Sequence, residues 1–277
     1  MSEAALTAQN WEAFLQLDLR HGEARTQLLP RRRYGPLTVQ RPFYPEGERC
    51  HVYLLHPPGG IVGGDRLELR VALEQDAQSL ITTPGAAKYY LSAGDTARVR
   101  QHFSAAAGAE LEFLPQENIY FPGAIVHSET TVDVASGSRV ILWEKHCFGR
   151  PANDEFFDHG RLLARLRLTQ DGEPRFSETQ RIDAAEIMRA SGLRGYPACG
   201  SLLVYGITLE TEPLRNLQNI APRSGSGGLT QIEPDLLIAR SICTTTRDLD
   251  DYFLQLWAAL RPALLARAAE HPRIWST

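Results

Sequence analysis

The amino-acid sequence predicts a mainly β protein, a layered or solenoid-like (β-helix-like) stack of strands with about two α-helices, one near the C-terminus. Three observations predict it. Segments of strand length that alternate or run apolar follow one another through the middle of the chain. Three of them, spaced by about 30 residues, can be laid over one another. One late stretch keeps helical spacing instead.

Residues 51–55, 67–73, 79–83, 99–103 and 110–114 are the first strand candidates, and 125–134, 139–144, 162–168, 175–182 and 202–209 continue the series. Asp171-Gly172 and Ser136-Gly137 are turn dipeptides between them. The repeat overlays 71–81, 103–113 and 132–142, each a strand, a turn at Asp76, Gly108 or Gly137, and a second strand. Stacking such units buries one face of each hairpin against the next, although a generic run of β-hairpins shares the same turn chemistry. Residues 183–191 suit a short helix ended near Gly192. Leu249, Tyr252, Phe253, Leu256, Trp257 and Leu260 follow i, i+3, i+4, i+7 spacing, with Thr245-Thr246 as a cap, which predicts a helix over about 246–270. Pro262 should kink or restart it. Its apolar stripe reads as core packing before it reads as a partner groove.

The 277 residues allow one large domain or two small ones. Nothing between Asn10 and Arg240 marks a boundary, so a single domain over 1–277 is expected. With 43% hydrophobic and 22% charged residues the composition is that of a soluble globular protein. A formal charge of −4 excludes a general nucleic-acid binder, and Arg31-Arg32-Arg33, the sole basic triplet, reads as a solvated loop. No stretch approaches the ~20 apolar residues of a membrane span, and the start, Met1 to Gln9, lacks the order of a secretory signal. Cys50, Cys147, Cys199 and Cys243 form no CxxC pair, which points to reduced thiols and a cytoplasmic location.

The most restrictive segment is His56-Pro57-Pro58-Gly59-Gly60-Ile61-Val62-Gly63-Gly64-Asp65. Prolines fix φ and glycines open conformations closed to other residues, so Pro58, Gly59, Gly60, Gly63 and Gly64 make a specified loop ending in a carboxylate. A turn between strands would use the same residues. No lysine follows the glycines and the G-x-G-x-x-G spacing is missing, which excludes the common nucleotide loops. Ser224-Gly225-Ser226-Gly227-Gly228 reads as a flexible loop.

Asp65, Glu117, Glu144 and Glu178 are the acids to weigh. Glu144 follows an apolar strand, where its carboxylate either faces inward or begins a loop, and inward it needs a partner or a metal. Arg66, Arg150 and Arg181 could supply ion pairs. Cys50-His51, His146-Cys147 and His56 are conceivable metal ligands, but adjacent residues of an extended strand point to opposite faces. No nucleophile elbow or HExxH motif is present, so catalytic residues are expected to be none. A β-scaffold hydrolase or isomerase using Asp65 with Glu144 or His146 is the alternative.

Arg41-Pro42-Phe43-Tyr44-Pro45-Glu46-Gly47, the glycine loop, Thr82-Thr83-Pro84-Gly85-Ala86-Ala87-Lys88-Tyr89-Tyr90 and Leu114-Pro115-Gln116-Glu117, taken together, resemble the urease accessory protein D family (UreD, or UreH). Trp143-Glu144, Phe148-Gly149-Arg150, the stretch from Trp257 to Arg261 and Arg273-Ile274-Trp275 extend the likeness along the chain. One departure is Asp154, where the family pattern has glycine. The resemblance implies a β-solenoid-like scaffold with a pair of helices, and not an enzyme. It implies a metallochaperone with no tightly bound cofactor, handling nickel transiently. The implied partners are a helical F-type accessory protein, a G-type GTPase and apo-urease, with no nucleic acid and no membrane. By the same resemblance Asp65, Glu144 and Glu178 line a passage for nickel; partner-contact residues stay unassigned.

Overall fold

The computed structural model describes residues 10–276, so the reading of Met1 to Gln9 lies outside the described residues. Strand β1 (Glu12–His21) precedes three short strands, β2 (Thr26–Leu28), β3 (Arg32–Tyr34) and β4 (Thr38–Val39), and then β5 (Cys50–Leu55). Next come β6 (Arg66–Leu73), β7 (Gln78–Thr82), β8 (Ala87–Tyr89), β9 (Ala97–Ala105), β10 (Glu110–Phe113) and β11 (Asn118–Tyr120). The long strands β12 (Ile125–Val134) and β13 (Arg139–Arg150) lead through β14 (Glu155–Phe156) to β15 (Arg161–Gln170) and β16 (Glu173–Ile182). Helix α1 (Ala184–Met188), β17 (Ala198–Tyr205), α2 (Thr211–Gln218), β18 (Ser226–Glu233), β19 (Leu236–Cys243) and α3 (Thr246–Leu265) complete the described elements.

These strands form two facing sheets. In the first, β1, β6, β9, β12 and β15 run parallel in that spatial order, and β16 closes one edge antiparallel. In the second, β5, β7, β10 and β13 run parallel and β17, β19 and β18 follow antiparallel. The chain winds from one sheet to the other in about four stacked coils, a solenoid-like arrangement.

The repeat units are therefore corners and not hairpins. β6 and β7 lie in different sheets, as do β9 with β10 and β12 with β13. Asp76, Gly108 and Gly137 share a positive φ of 59°, 70° and 82°, which turns the chain sharply at the same place in each coil. The stacking is so close that a Cβ at Gly108 would sit 2.0 Å from Asp76 Oδ1. Asp171-Gly172 does make a hairpin, joining β15 to β16 with φ of 51° and 88°, the pattern of a type I′ turn.

Leu15, Leu17, Leu69, Val71, Phe103 and Val132 of the first sheet meet Val52, Ile81, Leu111, Phe113 and Leu142 of the second to make the inner core. The far face of the second sheet is covered by α3. Leu249, Tyr252, Phe253, Leu256, Trp257 and Leu260 are all buried there against Trp143, Leu202, Val204 and Leu237, so the stripe is core. With both faces covered, β17 is buried at every position from Ala198 to Tyr205.

Three expectations need correction. Helix α3 ends at Leu265 and continues through Pro262 instead of restarting there. The proline stands within one turn of the C-terminal end, where Ala266 turns left-handed at φ 53° and bonds back to the Pro262 carbonyl. The Ser-Gly run is no free loop, since residues from Ser226 onward pair with β19. A Cβ at Gly225 would strike the Ile242 carbonyl, and Gly227 packs on the Tyr252 ring. Third, α2 is an additional helix that packs on β18. No helix among the described residues is long and apolar enough to cross a membrane.

Candidate functional site

The glycine loop sits where β5 leaves the second sheet and β6 enters the first. A Cβ at Gly60 would meet the Tyr90 ring at 2.2 Å and one at Gly63 would meet Ser92 Oγ at 2.2 Å, so the loop packs directly on the next coil. Gly64 has φ 92°. Asp65 is fully buried and accepts two backbone N–H groups, Trp11 at 2.8 Å and Val62 at 2.9 Å. One carboxylate thus pins the loop to itself and to the start of β1.

Pro58, Gly59 and Gly60, with Thr83 to Lys88, rim a cavity of about 340 Å³ between the sheets. The two segments that carry the most distinctive part of the family resemblance therefore converge on one opening. Leu67, Leu69, Val99 and Phe113 give it apolar walls, and His56, Gln101 and Glu144 are polar groups within them.

Strand β13 runs on to Arg150 and so places Glu144 in mid-strand, facing inward. Thr130 Oγ1 of β12 donates to its Oε1 at 2.5 Å. Burial pushes the Glu144 carboxyl up to about 7, nearby Glu178 adds to the rise, and the Thr130 hydrogen bond opposes it. Ser201 of β17 is the direct cross-strand neighbour of Glu144 and donates to Glu178 Oε2 at 3.2 Å. Arg240 of β19 holds the other Glu178 oxygen at 2.7 Å. Glu178 and Ser201 line a second, polar cavity of about 650 Å³, rimmed by Gly192, Ser226, Gly227 and Gly228. Glu144 and Glu178 stand on the partition between two cavities that open beside different loops.

A buried aromatic group backs that partition. His146 Nδ1 and the Tyr120 hydroxyl are 2.9 Å apart, and Tyr120 stacks between Tyr89 and Phe148. Burial holds His146 down at about 4, so its ring is neutral at ordinary pH.

Of the three acids expected in a passage, Glu144 and Glu178 are brought together. Asp65 is not among them: it lines neither cavity and both its oxygens are taken by backbone amides. Glu117 lies between β10 and β11, outside both cavities. Arg66 pairs with Glu12 and Arg150 with Glu155, Arg181 lines the second cavity with Glu178, and the cation bonded to Glu178 is Arg240. Cys50-His51 and His146-Cys147 are both extended, and among the described residues no three His, Cys, Asp or Glu side chains converge. The four cysteines are free and buried. Ser201, Thr130, Gln101 and Arg240 carry no motif; only strand register brings them to the acids. Asp154 has φ 56°, which explains why glycine would suit its position and why aspartate is tolerated.

The family model described as UreD urease accessory protein matches residues 12–276. A urease accessory protein UreD of Alcanivorax borkumensis is 40% identical, over 100% of this chain and 96% of its own. One of Pseudomonas entomophila is 42% identical over 96% of this chain and 95% of its own, and one of Enterobacter sp. is 40% identical over 96% of each.

Proposed function

The chain belongs to the urease accessory protein UreD family, and from that premise we propose that it acts in urease maturation as a scaffold that conducts nickel to apo-urease. The observation that carries this is the Glu144–Ser201–Glu178 link across the wall between the two cavities. Two carboxyl groups on either side of Ser201, with Arg240 paired to Glu178 alone, can share a proton or a divalent cation. Oxygen donors without a converging set of three suit passage better than storage, because a dense thiolate–imidazole cage would hold the ion.

Nickel is cargo here. It enters beside the glycine loop, exchanges the proton of Glu144 for its own charge, passes to Glu178 and leaves through the second cavity. Asp65 serves by holding the mouth loop in place. An F-type accessory protein and a G-type GTPase deliver the ion, and this chain contributes no bond-making step. The hydrolase alternative requires Asp65 to converge with Glu144 or His146; with both Asp65 oxygens occupied it finds no support in the site.

The test uses the complete activation mixture of this chain, its accessory partners, apo-urease, nickel and GTP. Glu144→Ala with Glu178→Ala should leave the accessory complex intact and lower both the rate of nickel delivery and the final urease activity. Activation at the wild-type rate and extent would overturn the passage.

A further inference from the structure

The first cavity contains two polar atoms that nothing among the described residues uses. His56 Nε2 and Gln101 Oε1 belong to residues that line it, are shielded from solvent and have no hydrogen-bond partner among the described residues. Buried polar atoms are satisfied in the great majority of cases, so two orphans in one cavity point to an occupant that satisfies them. They face it from opposite walls, since His56 directly follows β5 of the second sheet and Gln101 lies on β9 of the first.

Their chemistry selects the occupant. An amide oxygen is always an acceptor, and a neutral imidazole with its proton on Nδ1 offers a lone pair at Nε2. Burial lowers the proton affinity of His56, against an opposing pull from Asp65. The same walls carry the Glu144 carboxyl and the neutral polar side chains of Thr83, Tyr89, Gln116 and Asn118. The cations among the lining residues, Lys88 and Arg100, are exposed. Two unused acceptors and a carboxyl group suit a hydrated cation, and no buried cation stands among the lining residues to hold an anion.

Resting on the passage proposed above, we propose that His56, opposed by Gln101, is its selectivity-determining ligand. Its imidazole takes one coordination position of the entering divalent ion while the amide oxygen holds a bound water. Divalent ions that gain from nitrogen ligation then pass in preference to those that favour oxygen. Nickel lies well above manganese in that order.

The test is a competition. The activation mixture receives nickel and manganese(II) at equal concentration, and the metal content of the recovered urease is measured by mass spectrometry. His56→Gln, which keeps the size but loses the nitrogen, should lower the nickel-to-manganese ratio by about five-fold or more while total metal stays near the wild-type level. An unchanged ratio, with Glu144→Ala/Glu178→Ala still blocking delivery, overturns the role of His56 and leaves the passage standing. Delivery by the double acid variant at the wild-type rate overturns the passage and this role with it. If His56→Gln does not assemble with its partners, Gln101→Leu removes the opposite acceptor. A lowered ratio in that variant supports the selective mouth, and an unchanged one overturns it.

Discussion

Asp65 and Glu144 show how differently two buried carboxyl groups can be used. Asp65 spends both oxygens on the amides of Trp11 and Val62 and so fixes the loop that rims the first cavity. Glu144 accepts one hydroxyl and otherwise borders open space. Substitution should separate the two roles. Asp65→Ala leaves two backbone donors without acceptors, a loss of about 1–3 kcal/mol in folding stability. Urea denaturation should show that loss, and hydrogen exchange should speed up at the Val62 and Trp11 amides. Asp65→Asn keeps one acceptor oxygen and should fall between. Any defect of Asp65→Ala in urease activation should therefore track its stability, whereas the acid pair should lose activation at full stability. An Asp65→Ala protein as stable as the wild type would remove the structural role assigned to it.

Helix α3 is tied to the sheet beneath it by charge as well as by apolar contact. Glu112 of β10 is fully buried and receives Trp257 Nε1 at 2.7 Å and Arg261 Nη2 at 2.9 Å. Arg49 Nη1 approaches the same carboxylate at 3.2 Å, and Arg261 also bonds Glu46. Removing one member of such a buried network strands charge, so Glu112→Leu should destabilise the protein by about 3–5 kcal/mol. In Glu112→Leu/Arg261→Leu the Arg49–Glu110 and Glu46–His51 contacts remain, and a large part of the loss should be recovered. Urea denaturation of the two variants measures the difference, and a double variant no more stable than the single one would show that packing, not charge, anchors α3. The amphipathic spacing predicts this helix but not its ionic anchor, because Glu112 and Arg261 are 149 residues apart in the chain. Element β1 is equally open to prediction: Ala13, Leu15, Leu17 and Leu19 alternate as buried positions from end to end. Strand β18 is not, because its glycine and serine residues, in close contact with Tyr252 and Ile242, imitate a loop.

At the scale of the whole molecule, the turn residues Asp76, Gly108 and Gly137 announce a repeat, but whether each unit is a hairpin or a coil depends on which sheet receives the second strand. That is a long-range property, and so is the site, whose parts lie on β9, β12, β13, β16, β17 and β19. Placing these groups in one interior has a consequence for folding. Burial moves Glu144 from an ordinary value of 4.5 up to about 7 and moves His146 from 6.5 down to about 4. Between pH 4.5 and 6.5 the folded protein keeps the Glu144 proton that the unfolded chain releases, so this group makes stability fall as pH rises. Across the same window the unfolded chain binds a proton at His146 that the folded one refuses, so that group makes stability rise with pH. The two effects oppose each other and largely cancel, while the lowered proton affinities of His56 and His127 add a rise of their own to the wild-type profile. Single substitutions should expose each in turn. Glu144→Gln should make stability climb from pH 4.5 to 6.5, and His146→Phe should make it decline, each by on the order of 2 kcal/mol. Because Glu144 borders a cavity open to water, its part should be the smaller. Urea denaturation across that range measures both slopes, and parallel profiles for the two variants would show that these groups are not held in the charge states the interior imposes.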